Sequence, residues 1–222
     1  MATKATSPHM AIKPPSLDTI VIGLRGSAPL VINKFSKKAL EAMRATQEAG
    51  STAKSKKVRE AKDFEAVGND ARHISVEGWD GIHAGAFRNA AISACRTVGF
   101  TMTKAKLAIF IVADGYDVDD MTPLVRIYGP PPKIVTSPCR NASGVIDLRP
   151  RPTYAPWYAK LQVRFDSDIF TKDDVVNLIL RVGMQVGIGE GRPDSKASAG
   201  LGYGLFDIAN VSELPFSDYE NA

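Results

Sequence analysis

The chain has 222 residues, 44% hydrophobic and 23% charged, a balance that fits a globular protein with one full core or at most two small ones. No apolar run reaches membrane-spanning length, and the opening MATKATSPHMAIKPPS lacks the apolar stretch of a secretory signal, so a cytoplasmic chain with no membrane partner is expected. The formal charge of +4 is unevenly placed: residues 1–62 hold 12 Lys+Arg against 4 Asp+Glu, and residues 63–222 hold 16 against 20. That is the pattern of a basic arm on a mildly acidic body, which suits a polyanion and equally suits a solvated lysine-rich helix.

In chain order, residues 1–17 read as a disordered lead-in, 18–212 as one domain and 213–222 as a tail. TIVIGLR (19–25) alternates, with Ile20, Ile22 and Leu24 on one face, and is the first predicted strand. Ser27-Ala28-Pro29-Leu30 then turns the chain. Residues 36–67, rich in Ala, Lys and Glu, fit two exposed helices joined softly at Gly50-Ser51-Thr52. AGAFRNAAISACRTV (84–98) is the clearest helix of the first half, with Phe87, Ala91, Ala94 and Val98 as a narrow stripe. AKLAIFIV (105–112), apolar on both faces, is expected to be a central strand, ended by an acidic solvated turn at Asp114–Asp120.

Residues 123–153 read as a hairpin with PLVRIYG and VIDLRPRP as arms and the prolines at 130–132 in the connection. Asp147, Arg149 and Arg151 share one face of the second arm, opposite Ile146 and Leu148. AKLQVRF (159–165) alternates as a strand with one solvated face. Thr171 opens a helix with Asp173 and Asp174 in its first turn and Val175, Leu178, Ile179, Val182 and Val186 as its buried stripe. GIGEGRPDSKASAGLGYG (187–204) follows with six glycines, and YGLFDIANV is the last predicted strand.

Without its insertions (34–75, a lysine-rich helical segment, and 114–157, carrying the hairpin), the order is strand, helix, strand, strand, helix, strand. The predicted class is therefore α+β with a ferredoxin-like, RRM-like βαββαβ core. The glycine stretch follows a helix and precedes a strand, the reverse of a dinucleotide fingerprint, and no Gly-Lys-Ser/Thr closes it as a P-loop. Exposed N–H groups at Gly189 and Gly191 beside Arg192 and Lys196 suit an anion, and a glycine-rich turn without ligand has the same composition. Small residues at Gly81, Ala84 and Gly85 leave the first N–H groups of the helix at 84–98 open to a phosphate, with Arg88 one turn in and His83 beside them; a plain helix cap is the alternative. Arg25, Lys34, Lys37 and Lys38 in the basic first third, and Arg126, Arg149 and Arg151 on the hairpin, are further phosphate candidates. Trp79, Tyr154, Trp157 and Tyr158 are candidates for base stacking, with partly buried packing as the alternative.

The cysteines, Cys95 and Cys139, make neither a disulfide framework nor a zinc site, and Cys95 reads as a core residue. His9, His73 and His83 have no metal-ligand spacing, and no nucleophile motif is present, so no cofactor, no metal and no enzymatic activity are expected.

Three segments together resemble the RAMP superfamily of CRISPR-associated proteins, in particular the subunit that coats guide RNA: TIVIGLRGSAPLVI, GIHAGAFRNAAISACR (81–96) and GIGEGRPDSKASAGLGYG. The resemblance spans most of residues 18–210 and extends to compact phage-encoded relatives. It implies RNA or single-stranded DNA binding through backbone contacts, with the hairpin laid across the strand as a thumb and copies arrayed side by side as a homo-oligomer. Nuclease-bearing members carry an aspartate in a short loop after the first strand; a lysine-rich insertion stands there in this chain, so target cleavage is not expected. Two alternatives remain open at this point: a structural assembly protein of a phage particle, and an endoribonuclease of the same superfamily using His83.

Overall fold

The computed structural model describes residues 12–35, 37–48, 63–140, 146–195 and 200–219. Strand β1 (Leu17–Gly26) is longer than its alternation suggested and begins inside the expected lead-in. After the Pro29 turn come β2 (Leu30–Val31) and an exposed helix α1 (Lys37–Glu48). Helix α2 (Phe64–Asn69) is capped by Asp63, whose carboxylate accepts from the Glu65 and Ala66 N–H groups; the expected joint at 50–52 lies outside the described residues. Two short strands, β3 (His73–Ile74) and β4 (Asp80–His83), lead into α3 (Ala84–Ala94).

Phe87, Ala91 and Ala94 are fully buried as expected, whereas Val98 is exposed. The chain tightens into a 3-10 turn at Cys95–Val98, which rotates Val98 outward and puts buried Cys95 in the core instead. Residues 105–108, expected in a strand, end helix α4 (Met102–Ala108), because Ala105 and Ala108 share a buried helical face three residues apart. Only Ile109–Val112 extends, as β5.

Strands β6 (Gly115–Tyr116) and β7 (Pro123–Arg126) precede β8 (Lys133–Arg140) and β9 (Ile146–Tyr154). The hairpin exists with a different first arm: β8 pairs β9 from Lys133↔Thr153 to Arg140↔Ile146, and Pro130–Pro132 precede it. PLVR belongs to another sheet, with order β3-β4-β7-β6, and β2 joins the hairpin as β2-β9-β8. Strand β10 (Tyr158–Asp166) buries Ala159, Leu161, Val163 and Phe165 as its alternation required. Helix α5 (Lys172–Arg181) carries a full capping box between Thr171 and Asp174, and its last turn widens into a π-helix at Val182–Val186 before β11 (Phe206–Ala209).

The main sheet has the order β11-β1-β10-β5, antiparallel throughout, so β5 is an edge strand rather than a central one. One face of this mixed α+β core buries Ile22, Leu24, Leu161, Val163 and Phe206 with the stripes of α3 and α5. On the other face the C-terminal segment folds back: Leu214 and Phe216 are buried against Tyr128, and the Lys160 ammonium lies 4.7 Å from the Phe216 ring centre. The described part of the expected tail is therefore packed structure, while Val21 on the same face is left exposed.

Candidate nucleic-acid interface

The glycine-rich segment is hung on the turn at Ala28–Val31. Gly204 donates its N–H to the Pro29 carbonyl at 2.8 Å, Glu190 to Val31 at 2.8 Å, and Ile188 to Gly204 at 3.1 Å. Ile188 is thereby buried between two glycines that the packing dictates. At Gly189 (φ +75°) a Cβ would stand 2.5 Å from the Val31 carbonyl oxygen, and at Gly204 (φ +67°) it would collide with the Ile188 carbonyl. The Pro-Leu turn and the glycine loop, far apart in sequence, are one packed unit.

This unit faces α3 across a pocket of about 370 Å³. One wall is the α3 flank of Ala86, Asn89, Ala90 and Ser93, at spacings i, i+3, i+4 and i+7; the other is Val186, Ile188 and Gly189. His83, Arg192 and Asp194 stand at the rim. The His83 Nδ1 accepts the Gly85 N–H at 2.7 Å, so the neutral ring carries its proton on Nε2. Arg192 donates to the Gly189 carbonyl at 3.0 Å. Asp194 accepts from Ser93 and from Arg96 at 2.8 Å; the Ser93 hydroxyl, outweighing partial burial and aided by Arg96, holds its carboxyl below the usual range. Arg192 and Asp194 line the pocket with opposite charges, and the Arg96–Asp194 and Arg151–Glu190 ion pairs lie beside it.

His83, Gly85, Gly189 and Arg192, drawn from two distant motifs, thus line one pocket. Gly191 belongs to the same loop, with φ +78° and a Cβ position 2.7 Å from the Tyr203 ring, and Lys196 lies outside the described residues. Arg151 reaches the loop through a 2.7 Å ion pair with Glu190, while Arg149 turns to Asp147 at 3.6 Å.

Several other candidates have different roles. Gly85 makes room for the His83 ring, and Gly81 and Ala84 are buried, Gly81 against Leu124 and Trp79. Arg88 leaves the pocket, donating to the Ile109 carbonyl at 3.0 Å and to that of Lys106, with its guanidinium over Phe110. Arg126 lies in the third sheet, donating to the Tyr219 carbonyl at 2.9 Å. Lys34 is a correction in kind: it is 8% exposed and pairs with Asp117 at 2.6 Å and Asp119 at 2.7 Å. Asp117, expected in a solvated turn, is fully buried and also meets His73 Nδ1 at 2.8 Å. Lys37 pairs with Asp119 at 2.6 Å; Lys38 lies exposed on α1 and Arg25 exposed on β1.

Two of the aromatic candidates, Trp157 and Tyr154, are corrected by their burial. Trp157 is buried and donates Nε1–H to the Ala28 carbonyl at 2.8 Å; Tyr154 is buried with its hydroxyl on Asp80 at 2.8 Å, where burial pushes the phenol far up. Trp79 donates to Glu77 at 2.6 Å, and Tyr158 stacks on Tyr219. Trp79 and Tyr158 are half-buried.

Sequence reasoning missed Asn89, Ser93, Arg96 and Asp194. The first two were visible as small polar positions on the pocket-facing side of a helix already located; the Arg96–Asp194 pair, 98 residues apart, left no local signal. Among the described residues there is no group of acidic, histidine and cysteine side chains suited to a metal ion, and no helix is long and apolar enough to cross a membrane. No protein-family model matches the chain, and no curated protein matches its sequence.

Proposed function

We propose that the chain binds RNA or single-stranded DNA along the cleft between α3 and the glycine-rich loop, through the sugar–phosphate backbone and with little sequence preference. The observation that carries this reading is the meeting of His83, Gly85, Gly189 and Arg192 around one pocket, with the hairpin base tied alongside by Arg151. Phosphates pass the mouth, where Arg192 donates to a backbone carbonyl and Arg96 is more than half exposed.

The finer fold belongs to the same proposal. In a ferredoxin-like core the four strands stand in the order fourth, first, third, second, and β11-β1-β10-β5 with α3 and α5 as the two crossovers supports it. On that basis the chain is a RAMP-type strand-coating subunit without catalytic function, its copies repeating along the nucleic acid.

Fluorescence anisotropy with labelled single-stranded RNA, single-stranded DNA and duplex, at 50 and 200 mM salt, tests the reading. Single strands are expected to bind better than duplex, and to weaken about twentyfold across that range if some three phosphates are neutralised per copy. No binding of either single strand at the lower salt would exclude it.

A further inference from the structure

Two apolar surfaces lie outside the cleft, and neither is covered among the described residues. The first is on α1. Leu40 and Met43, one turn apart on the same face, are about half exposed and belong to neither hydrophobic core. A helix of 12 residues is marginal in water without a surface to pack on. Its charges weaken it further: Lys37 and Lys38 open it and Glu48 ends it, the reverse of what the helix dipole favours. The second surface is a groove of about 790 Å³ just past the C-terminus of α3, between the 3-10 turn and α5. Val98, Phe100, Ile169, Leu180 and Met184 line it, and Val98, Ile169 and Met184 are exposed, so the groove is open to a guest. Asp174 and Arg181 stand along its α5 side, the acid in the first turn of that helix and the base in its last.

We infer that α1 of one copy of this chain docks into the groove of a second copy, with Leu40 and Met43 entering between the 3-10 turn and α5. The charges select the direction. Laid parallel to α5, α1 brings Lys38 toward Asp174 and Glu48 toward Arg181; laid antiparallel, it sets like charges together at both ends. Lys38 and Glu48 are about 15 Å apart along their helix and Asp174 and Arg181 about 10 Å, a difference that the long basic side chains span. Within one chain the two surfaces are separate. Lys37 ties α1 to Asp119, in the β6–β7 turn of the sheet that leads into the start of α3, and the groove lies past the other end of α3. Because the two surfaces differ, the contact is heterologous: every added copy leaves one α1 and one groove unfilled, and assembly is open-ended unless it closes as a ring. One face of a helix about 18 Å long is smaller than the roughly 800 Å² per partner of a standard interface, so a single contact is weak. Copies already aligned on one strand would strengthen it through their effective concentration. The contact itself needs no nucleic acid, so it goes beyond the proposed strand binding and stands or falls apart from it.

Sedimentation velocity on the nuclease-treated full chain, up to several hundred micromolar, tests the contact. The mean sedimentation coefficient is expected to rise with concentration. Met43→Glu on α1 and Met184→Glu in the groove, both at exposed positions, are each expected to weaken association at least about tenfold, with urea midpoints establishing that the variants are folded. Mixing these two variants is the decisive arm. Each keeps the surface that the other has lost, so the mixture is expected to form a one-to-one dimer that grows no further. Arg181→Glu should weaken association, and adding Glu48→Lys to the same chain should restore it. Protein that stays monomeric throughout, or association untouched by Met184→Glu, overturns the contact. Neither result bears on strand binding, which the anisotropy titration reads separately.

Discussion

The Arg151 guanidinium meets the Glu190 carboxylate at 2.7 Å and so ties the base of the β8–β9 hairpin to the glycine-rich loop. The pair is mostly withdrawn from water, Arg151 being 14% exposed, and it lies beside the Glu190 N–H bond to Val31. Hairpin, glycine loop and Pro29 turn therefore share one anchoring point. A double-mutant cycle with Arg151→Ala and Glu190→Ala is expected to give a coupling energy of about 1 kcal/mol in chemical denaturation. Hydrogen exchange across 146–154 should rise in each single variant.

The glycine loop separates two costs that are usually confounded. Gly202 has a positive φ with nothing within 4 Å of a Cβ, so Gly202→Ala carries backbone strain alone, about 1–2 kcal/mol. Gly189→Ala adds a clash with the Val31 carbonyl and is expected to cost at least about 3 kcal/mol. Urea midpoints of the two variants check the order, and equal losses would contradict the packing described for Ile188.

Acid sensitivity should centre on the Lys34 cluster. Burial opposes ionisation of Asp117, but the Lys34 ammonium, the Asp119 N–H and His73 together outweigh it and hold the carboxyl below the ordinary range; Lys34 and then Lys37 do the same for Asp119. Depressed carboxyl values stabilise the fold fully above about pH 4, and the contribution is lost as pH falls through the folded-state values. Asp117→Asn removes one of the two acids on buried Lys34 and is expected to cost about 3 kcal/mol at neutral pH. It should also flatten the acid limb of a stability–pH curve measured by urea unfolding.

Arg192→Ala tests the cleft by its salt dependence. Loss of one phosphate contact is expected to lower the slope of log affinity against log salt by about 0.7 for a single strand, for every base composition alike. Arg164→Ala, on the opposite face of the sheet near Phe110, is the control expected to leave that slope unchanged.

Phe216→Ala tests the folded-back C-terminal segment. Its ring packs edge-on to Tyr128 with centres 4.7 Å apart and is 4% exposed, so truncation is expected to cost about 3 kcal/mol in thermal or urea unfolding. A tail without structural role would show no loss.

What was legible in the sequence follows from where the determining contacts are. β1, β10 and α5 were readable because their alternation or heptad-like spacing is a local record of which face is buried. β8 was not, since Pro138 interrupts it and its pairing with Leu148 lies across the hairpin. Strands of two to four residues such as β3, β4 and β6 are too short to show a period. In the candidate site, the glycines and Arg192 were conspicuous by composition, while Trp157 and Tyr154, beside insertions, suited packing and base stacking alike. Lys34 looked like part of a basic arm because the acid that claims it is 83 residues away.

That last pair alters what a distant polyanion would feel. The lopsided distribution of charge along the chain is partly erased when it folds, because Lys34 and Lys37 turn onto Asp117 and Asp119 and cancel them in place. The long-range field that remains is weaker than a linear tally of lysines implies. Under the proposed function, capture of a strand would then depend less on attraction across many ångströms than on fit after collision, with encounter rates nearer those of ordinary docking than of electrostatic steering.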